Sequence, residues 1–218
     1  MKILVTGGGG YIGTHTVSEL LLSGHHVSIV ENNHVGGGIG LMPFIGKKNI
    51  SIHIGDIRDY DFVKKVTYGI DKVVHLAAIV GEPACDRDEK LAEETNINGT
   101  LNILKACKIN NIKHLHFMST ASSYGVQNDQ VIADESTPVN PISFYAKTKL
   151  DMEQALLNST DNNFYVTIFR PSTVHGISSR MRFDLIVNTL SKNCFLQKKL
   201  SLFGLTLWRP IFWVGDAG

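Results

Sequence analysis

The chain has 218 residues, 43% of them hydrophobic, which allows one domain with a sizeable core and a small appendage and excludes the disordered and fibrous classes. Its 21 basic and 20 acidic residues leave a formal charge of +1, so no global field draws it to nucleic acid or an anionic membrane, and neither is expected as a partner. The three cysteines, Cys85, Cys107 and Cys194, are far apart, odd in number and without metal-ligand spacing, which suits a reducing cytoplasm; all three read as unreactive.

Met1 to Val5 carries a short apolar run that soon turns to glycine, too brief for a signal peptide, and no later segment approaches the length of a membrane span. Lys2 to Thr6 reads as a buried parallel strand, and Tyr11 to Ser23, apolar at helical spacing, as the helix after it. Between them stands Thr6-Gly7-Gly8-Gly9-Gly10-Tyr11-Ile12-Gly13. Gly7 suits a tight turn, Gly10 lets the backbone approach a phosphate, and Gly13 lets the helix pack on the sheet, while the helix N-terminus offers free N–H groups to an anion. A lone glycine pattern is weak, but after a strand and before a helix it predicts a dinucleotide pyrophosphate site.

Val27 to Val30 reads as the second strand, with Glu31 and Asn32 at its end. A carboxylate there can accept hydrogen bonds from the adenosine ribose hydroxyls and repel a 2′-phosphate, which favours NAD over NADP; an exposed loop glutamate is the alternative. Gly36 to Gly40 reads as a loop, Ile50 to Ile54 as the third strand, Asp59 to Tyr68 as a helix and Lys72 to Leu76 as the fourth strand. Asp56, after the third strand, can reach adenine or cap the helix that follows. Leu91 to Ile109 reads as a long helix, His114 to Ser119 as the fifth strand, Ser143 to Leu157 as a helix and Tyr165 to Phe169 as the sixth strand. This alternation implies an α/β fold, a doubly wound parallel sheet covered by its crossover helices.

Tyr145 and Lys149, four residues apart on the helix from Ser143, share one face. A neighbouring ammonium favours the phenolate, so Tyr145 is a candidate general base; taken alone, the same spacing also describes an ordinary surface pair. His114 and His116 alternate onto one strand face but have no third ligand at sensible spacing, and no metal is expected.

Taken together and in order, these residues resemble the extended short-chain dehydrogenase/reductase superfamily, and within it the NAD-dependent sugar-nucleotide epimerases and dehydratases. The matching stretches are Thr6-Gly7-x-x-Gly10-x-x-Gly13, Asp56-Ile57-Arg58-Asp59, His75-Leu76-Ala77-Ala78, Asn96-x-Asn98-Gly99-Thr100, Ser119-Thr120-Ala121-Ser122-Ser123-Tyr124-Gly125, Tyr145-x-x-x-Lys149 and Arg170-Pro171. The resemblance implies a Rossmann-type NAD-binding domain over residues 1–170 and an incomplete C-terminal substrate-binding lobe over residues 171–218. It implies Thr120, Tyr145 and Lys149 as the catalytic set, Thr120 lying beside Ser119 and Ser122. Tyr11 and Ile12 would meet the pyrophosphate through their backbones, and Leu76, Ala77 and Ala78 would line the cofactor cleft. Asn32, Asp56 and Ile57 join the cofactor contacts, and Lys149 would also hold the nicotinamide ribose. Asn96 falls near the cofactor by the same resemblance, although it is equally a polar residue of a long helix.

The implied chemistry is removal of a sugar hydroxyl proton by Tyr145, most simply at O4, with hydride passing to NAD and a transient 4-keto sugar forming. Return of the hydride to the other face makes a sugar-nucleotide epimerase; release of the ketone makes a net 4-dehydrogenase of a nucleotide-linked hexose or heptose. The 4,6-dehydratases usually follow their threonine with Asp-Glu, but here Ala121 and Ser122 follow Thr120, which ranks dehydration below both. Beyond Arg170, the stretch Ser178-Ser179-Arg180-Met181-Arg182-Phe183-Asp184-Leu185-Ile186-Val187-Asn188 is similar to one branch of the superfamily that includes a GDP-heptose 4-dehydrogenase, with Ser179 in place of proline. Arg209-Pro210-Ile211-Phe212-Trp213-Val214-Gly215-Asp216 resembles the arginine segment that grips the substrate pyrophosphate, with Trp213 in place of histidine. Arg180, Arg182, Asn188 and Arg209 are therefore the substrate-side candidates, a solvated basic face being the alternative. Family members continue for about a hundred residues beyond this point. An NAD-binding protein with impaired turnover is accordingly the third reading, and a homodimer paired through the helices 91–109 and 143–157 is the expected assembly.

Overall fold

Six strands follow one another along the chain in one order and lie side by side in another. In the computed structural model, which describes residues 1–34, 38–127, 132–202, 204 and 209–217, these strands are β1 (Lys2–Thr6), β2 (His26–Glu31), β3 (Ile50–Ile54), β4 (Lys72–His75), β5 (His114–Met118) and β6 (Tyr165–Phe169). They form one parallel sheet in the order β3-β2-β1-β4-β5-β6. The winding direction reverses at β1, between β2 and β4, and such a reversal opens a crevice at the carboxyl ends of the strands. Thr6, Glu31, His75 and Met118 all stand at that edge.

Residues alternate between the two faces of the sheet. Leu4, Val73, Leu115 and Phe117 face α2 (Tyr60–Val66), α5 (Thr100–Ile109) and α6 (Phe144–Asn158), burying Ile103 and Leu156 with them. Val5, Val27 and Ile29 face the other way, under α1 (Gly13–Leu22) and a 3-10 turn, Ile39–Phe44. That second layer covers the β1-β2-β3 half of its face. Next to it runs a groove of about 520 Å³ whose lining includes Val74, His116, Met118, Phe169 and Phe212.

Four local departures from the expected elements have identifiable causes. The long helix 91–109 is composite: α4 (Glu89–Glu93), capped by Asp88, passes through a π-helical turn, Glu94–Gly99, into α5. The wider π turn buries Thr95, Asn96 and Gly99, and a Cβ on Gly99 would lie 2.6 Å from Ile57 Cδ1. A short helix not expected from the pattern, α3 (Glu82–Arg87), opens with Pro83 in its first turn. The loop expected over 36–40 becomes, from Ile39, the 3-10 turn, in which a Cβ on Gly40 would lie 1.8 Å from Gly9 O; Gly36 and Gly37 lie outside the described residues. Asp59, not Asp56, caps α2, accepting from Phe62 N at 3.0 Å.

After β6 the chain forms β7 (Thr173–His175), α7 (Ile186–Gln197) and β8 (Ile211–Trp213), with β7 and β8 pairing in parallel. Val174 and Val214 bury themselves against Tyr11, and Ile12, Met181, Leu185 and Phe212 pack around them. The C-terminal segment thus shares a small core with the start of α1. Among the described residues no helix is long and apolar enough to cross a membrane.

Candidate active site

The glycine turn closes on itself. Gly10 N donates to Gly7 O at 2.9 Å and Thr14 N to Gly10 O at 3.0 Å. Gly7 holds φ +69, and a Cβ there would lie 2.9 Å from Ala77 N, so the segment after β4 crosses directly over the turn. At Gly13 a Cβ would lie 2.2 Å from Gly7 O. Among the described residues the N–H groups of Tyr11, Ile12 and Gly13 meet no acceptor, and they stand where α1 begins. A glycine-lined cradle with free N–H groups at a helix N-terminus fits a pyrophosphate. Glu31 reaches the same turn, its Oε2 accepting from Gly9 N at 3.2 Å and its Oε1 from Asn33 N at 3.1 Å. This places a carboxylate at the rim of the cradle.

The neighbouring candidates are bound into the protein. Asp56 receives Arg58 Nη2 at 2.8 Å, Arg58 Nε at 3.0 Å and Asn32 Nδ2 at 3.2 Å, and these bonds, Arg58 first, hold its carboxyl down at about 2. Ile57 is buried in the core, which leaves its backbone as the part able to meet a ligand. Leu76 and Ala77 both donate their N–H groups to Thr6 Oγ1 at 3.2 Å, and Ala78 follows them along the cleft. Asn96 turns its amide onto Ile79, accepting from its N at 2.8 Å and donating to its O at 3.0 Å. It therefore braces the loop after β4 instead of projecting into the cleft.

Behind that loop a buried polar chain has all its protons assigned. Thr6 Oγ1 already accepts two N–H groups, so its own proton goes to His75 Nδ1 at 2.6 Å. His75 Nε2 then donates to Thr100 Oγ1 at 3.0 Å, and Thr100 donates to Asn96 O at 2.7 Å. The imidazole is neutral, burial and then the nearby Lys149 charge holding it down at about 3.

Tyr145 and Lys149 do project from one face of α6, which begins on the Ser143 cap, its Oγ accepting from Ala146 N at 3.2 Å. Lys149 is 3% exposed; its ammonium donates to Met118 O at 2.9 Å and lies 4.7 Å from the centre of the Phe117 ring. Burial lowers its pKa to about 8, with Cys85 and Glu153 pulling the other way. The Tyr145 phenol behaves differently from the sequence expectation. Burial first, and then Cys85, push it up to about 12, while Arg182 and the nearby Thr120 hydroxyl act against them. Thr120 itself sits at the end of β5 in extended conformation, buried, its Oγ1 accepting from Ser122 N at 3.2 Å.

Beneath these groups lies a second buried set. Glu153, 1% exposed, accepts from Ser119 Oγ and from Arg170, whose Nε lies 3.0 Å from each carboxylate oxygen and whose Nη2 lies 2.5 Å from Oε2. Arg170 Nη1 also donates to Tyr124 OH at 3.1 Å. Glu153 was visible in the sequence as the next turn of the Tyr145, Lys149 stripe; Cys85, held by its bond to Ile79 O at 3.4 Å, carried no such signal.

The substrate-side candidates divide. Asn188 is buried, its Oδ1 accepting from Gly176 N at 3.1 Å and its Nδ2 donating to Tyr11 OH at 3.0 Å and Arg182 O at 2.9 Å. Tyr11 OH in turn donates to Gly176 O at 2.7 Å, and Ser178 Oγ to Tyr11 O at 2.9 Å. Asn188 is thus a clasp between α7 and the glycine-turn helix, with both amide protons used inside the protein. Arg182 faces Tyr145 and pairs with Asp184 through Nε at 3.1 Å. Arg180 stands beside it, and Arg209 is exposed just before β8. Trp213 lays its ring against Gly176 and Gly215. Among the described residues no group of three or more His, Cys, Asp or Glu side chains could hold a metal ion.

The family model described as the NAD dependent epimerase/dehydratase family matches residues 3–218. Among curated relatives, the UDP-glucose 4-epimerase of Lactobacillus helveticus is 35% identical over 183 residues, covering 82% of this chain and 53% of its own length. Among solved structures, the Bacillus cereus UDP-glucuronic acid 4-epimerase in complex with UDP-glucuronic acid and NAD superposes with a TM-score of 0.87 at 30% identity, over 99% of this chain and 70% of that one. The Thermus thermophilus UDP-glucose 4-epimerase in complex with NAD gives a TM-score of 0.85 at 27% identity, over 99% of this chain and 71% of that one. The chain spans about half the length of the curated relatives it matches.

Proposed function

The chain belongs to the NAD-dependent epimerase/dehydratase family, and from that membership we propose that it is a nucleotide-sugar 4-epimerase working through a transient 4-keto sugar. The observation that carries this reading is that α6 carries Tyr145 and the buried Lys149 one turn apart, with Lys149 bonded to Met118 O at the carboxyl end of β5, two residues before the buried Thr120. The cofactor is NAD: Gly7, Gly10, Tyr11, Ile12 and Gly13 take its pyrophosphate, Glu31 its adenosine ribose and Lys149 its nicotinamide ribose. Bound there, NAD supplies a reversible hydride acceptor beside the sugar carbon.

The chain's own groups do the rest. Thr120 hydrogen-bonds O4 and sets it against the Tyr145 phenol. Tyr145 takes the O4 proton as the carbonyl forms and returns it as the hydroxyl re-forms, so a full cycle leaves the protein's protonation unchanged. Arg182 and Thr120 favour the phenolate against its burial, and Arg182, Arg180 and Arg209 form the positive side that takes the substrate pyrophosphate. No carboxyl group follows Thr120 in the 3-10 turn Ala121–Tyr124, which supports epimerisation over elimination of water.

Residues 1–170 are the cofactor domain and residues 171–218 belong to the substrate side; the enzyme works in the cytoplasm as a homodimer through the helices 91–109 and 143–157, where Leu101, Ile109 and Leu157 are exposed. The test is incubation with NAD and a panel of UDP-, dTDP- and GDP-linked sugars. Formation of a C4 epimer, lost by at least about a hundredfold in Tyr145→Phe, is the expected result. Full activity of Tyr145→Phe would sink the reading, ketone and NADH building up in step would establish the net 4-dehydrogenase, and NAD affinity without turnover would establish the binding protein.

A further inference from the structure

Tyr145, Lys149 and Glu153 recur every fourth residue of α6, and Glu153 is the one whose carboxylate touches neither cleft nor solvent. Its two partners, Ser119 and Arg170, come from two other places at the same edge of the sheet. Ser119 follows β5 and precedes Thr120, Arg170 follows β6, and Arg170 passes the link to Tyr124 in the turn that Thr120 caps. The two strand ends are themselves joined, Ser119 N donating to Phe169 O at 2.7 Å and Ala121 N to Pro171 O at 3.0 Å. Resting on the proposed epimerase reading, we propose that Glu153 is a positioning residue: gathered by Ser119 and Arg170, its buried carboxylate fixes α6 to the ends of β5 and β6 and so sets Lys149 and Thr120 in register with Tyr145.

The carboxylate is not interchangeable with a neutral group of the same shape. It lies one helical turn from Lys149 and favours the ammonium against the burial that opposes it. The other titratable groups facing that ammonium are Cys85 of α3 and His75 of β4; His75 is neutral, and burial holds the Cys85 thiol up at about 11, leaving Glu153 the negative charge near Lys149 at neutral pH.

The test reads Lys149 directly by following its ε-carbon NMR signal through a pH titration in the cofactor-free, full 218-residue chain labelled at lysine. Glu153→Gln keeps the shape and removes the charge, and the Lys149 midpoint is expected to move to lower pH, with Glu153→Asp restoring part of the shift. If the single variant does not fold because Arg170 is stranded, Glu153→Gln/Arg170→Met removes both members of the pair, and a smaller acid shift is expected, because loss of the guanidinium charge offsets part of the loss of the carboxylate. In turnover of the nucleotide sugar that the wild type accepts, Glu153→Gln should lower kcat roughly tenfold to a hundredfold, with KM within about twofold. An unmoved Lys149 midpoint in a folded variant would overturn the proposal whether or not the chain epimerises sugars. Absence of epimerisation in the wild type, with the midpoint shift intact, would overturn the epimerase reading and leave the Glu153 anchor standing.

Discussion

Lys149 is an ammonium placed where an ammonium is disfavoured. Its pKa stands at about 8 in the folded chain against 10.5 for an ordinary lysine, so between these values the unfolded chain holds a proton that the folded one has released. Stability must then rise with pH through that window. Tyr145 is shifted the other way, from 10.0 to about 12, and the buried Cys85 and Cys107 thiols from 9.0 to about 11 and about 12; their contributions are lost only above about 9, so the window from about 8 to 9 belongs to Lys149. Lys149→Met should melt higher than wild type at pH 7 and show a flatter stability profile from pH 8 to 9, as calorimetry at stepped pH will read. At the cradle, Glu31→Ala should weaken NAD at least about tenfold, read by titration calorimetry, because it removes both the ribose acceptor and the bond to Gly9 N. The helical spacing of Tyr145 and Lys149 was legible in the sequence. The raised phenol was not, because burial and the groups that act on it, Cys85 and Arg182, come from segments on either side of α6 in the chain. The same holds for Asn96 and Asn188: an asparagine's type does not say whether its amide will face a ligand or, as here, a backbone.

Among the elements, the strand, glycine turn and helix could be read closely because every demand in them is local. A tight turn needs φ +69 at Gly7, and close packing needs no Cβ at Gly13. Gly13→Ala puts that Cβ 2.2 Å from Gly7 O and should abolish NAD binding, measured by the same titration, while leaving the sheet's circular dichroism in place. The π turn within 89–109 was illegible for the opposite reason. Nothing in the periodicity of that stretch announces that Gly99 must admit Ile57, a residue of a different loop. The α7 clasp carries a further expectation. Asn188→Ala deletes bonds to Gly176 N, Tyr11 OH and Arg182 O and strands a partly buried N–H, which should lower stability by about 2–4 kcal/mol in a denaturant titration.

For the molecule as a whole, the two faces of the sheet carry unequal loads. The parallel order was legible from the alternation of strands and helices, and so was the layer that covers Leu115 and Phe117. Phe117 is 0% exposed and Phe169, one register position further along on the neighbouring β6 and so on the opposite face, is 45% exposed beside the groove. Phe117→Ala should therefore destabilise the 218-residue chain by about 3–5 kcal/mol and Phe169→Ala by under about 1.5 kcal/mol, a contrast that paired urea melts will measure. What the sequence did not disclose is that Val174, Asn188 and Val214 settle on Tyr11, since that contact is a matter of which part of the glycine turn and α1 the returning chain meets. The clasp also has a timetable. Asn188 follows Tyr11 by 177 residues, so at about 5–20 residues per second a ribosome needs roughly ten to thirty-five seconds to deliver the second half of the bond. Through that interval the nascent chain already carries its glycine turn but lacks the contact that fastens α1, and the cradle is the first part of the site to be made and among the last to be locked.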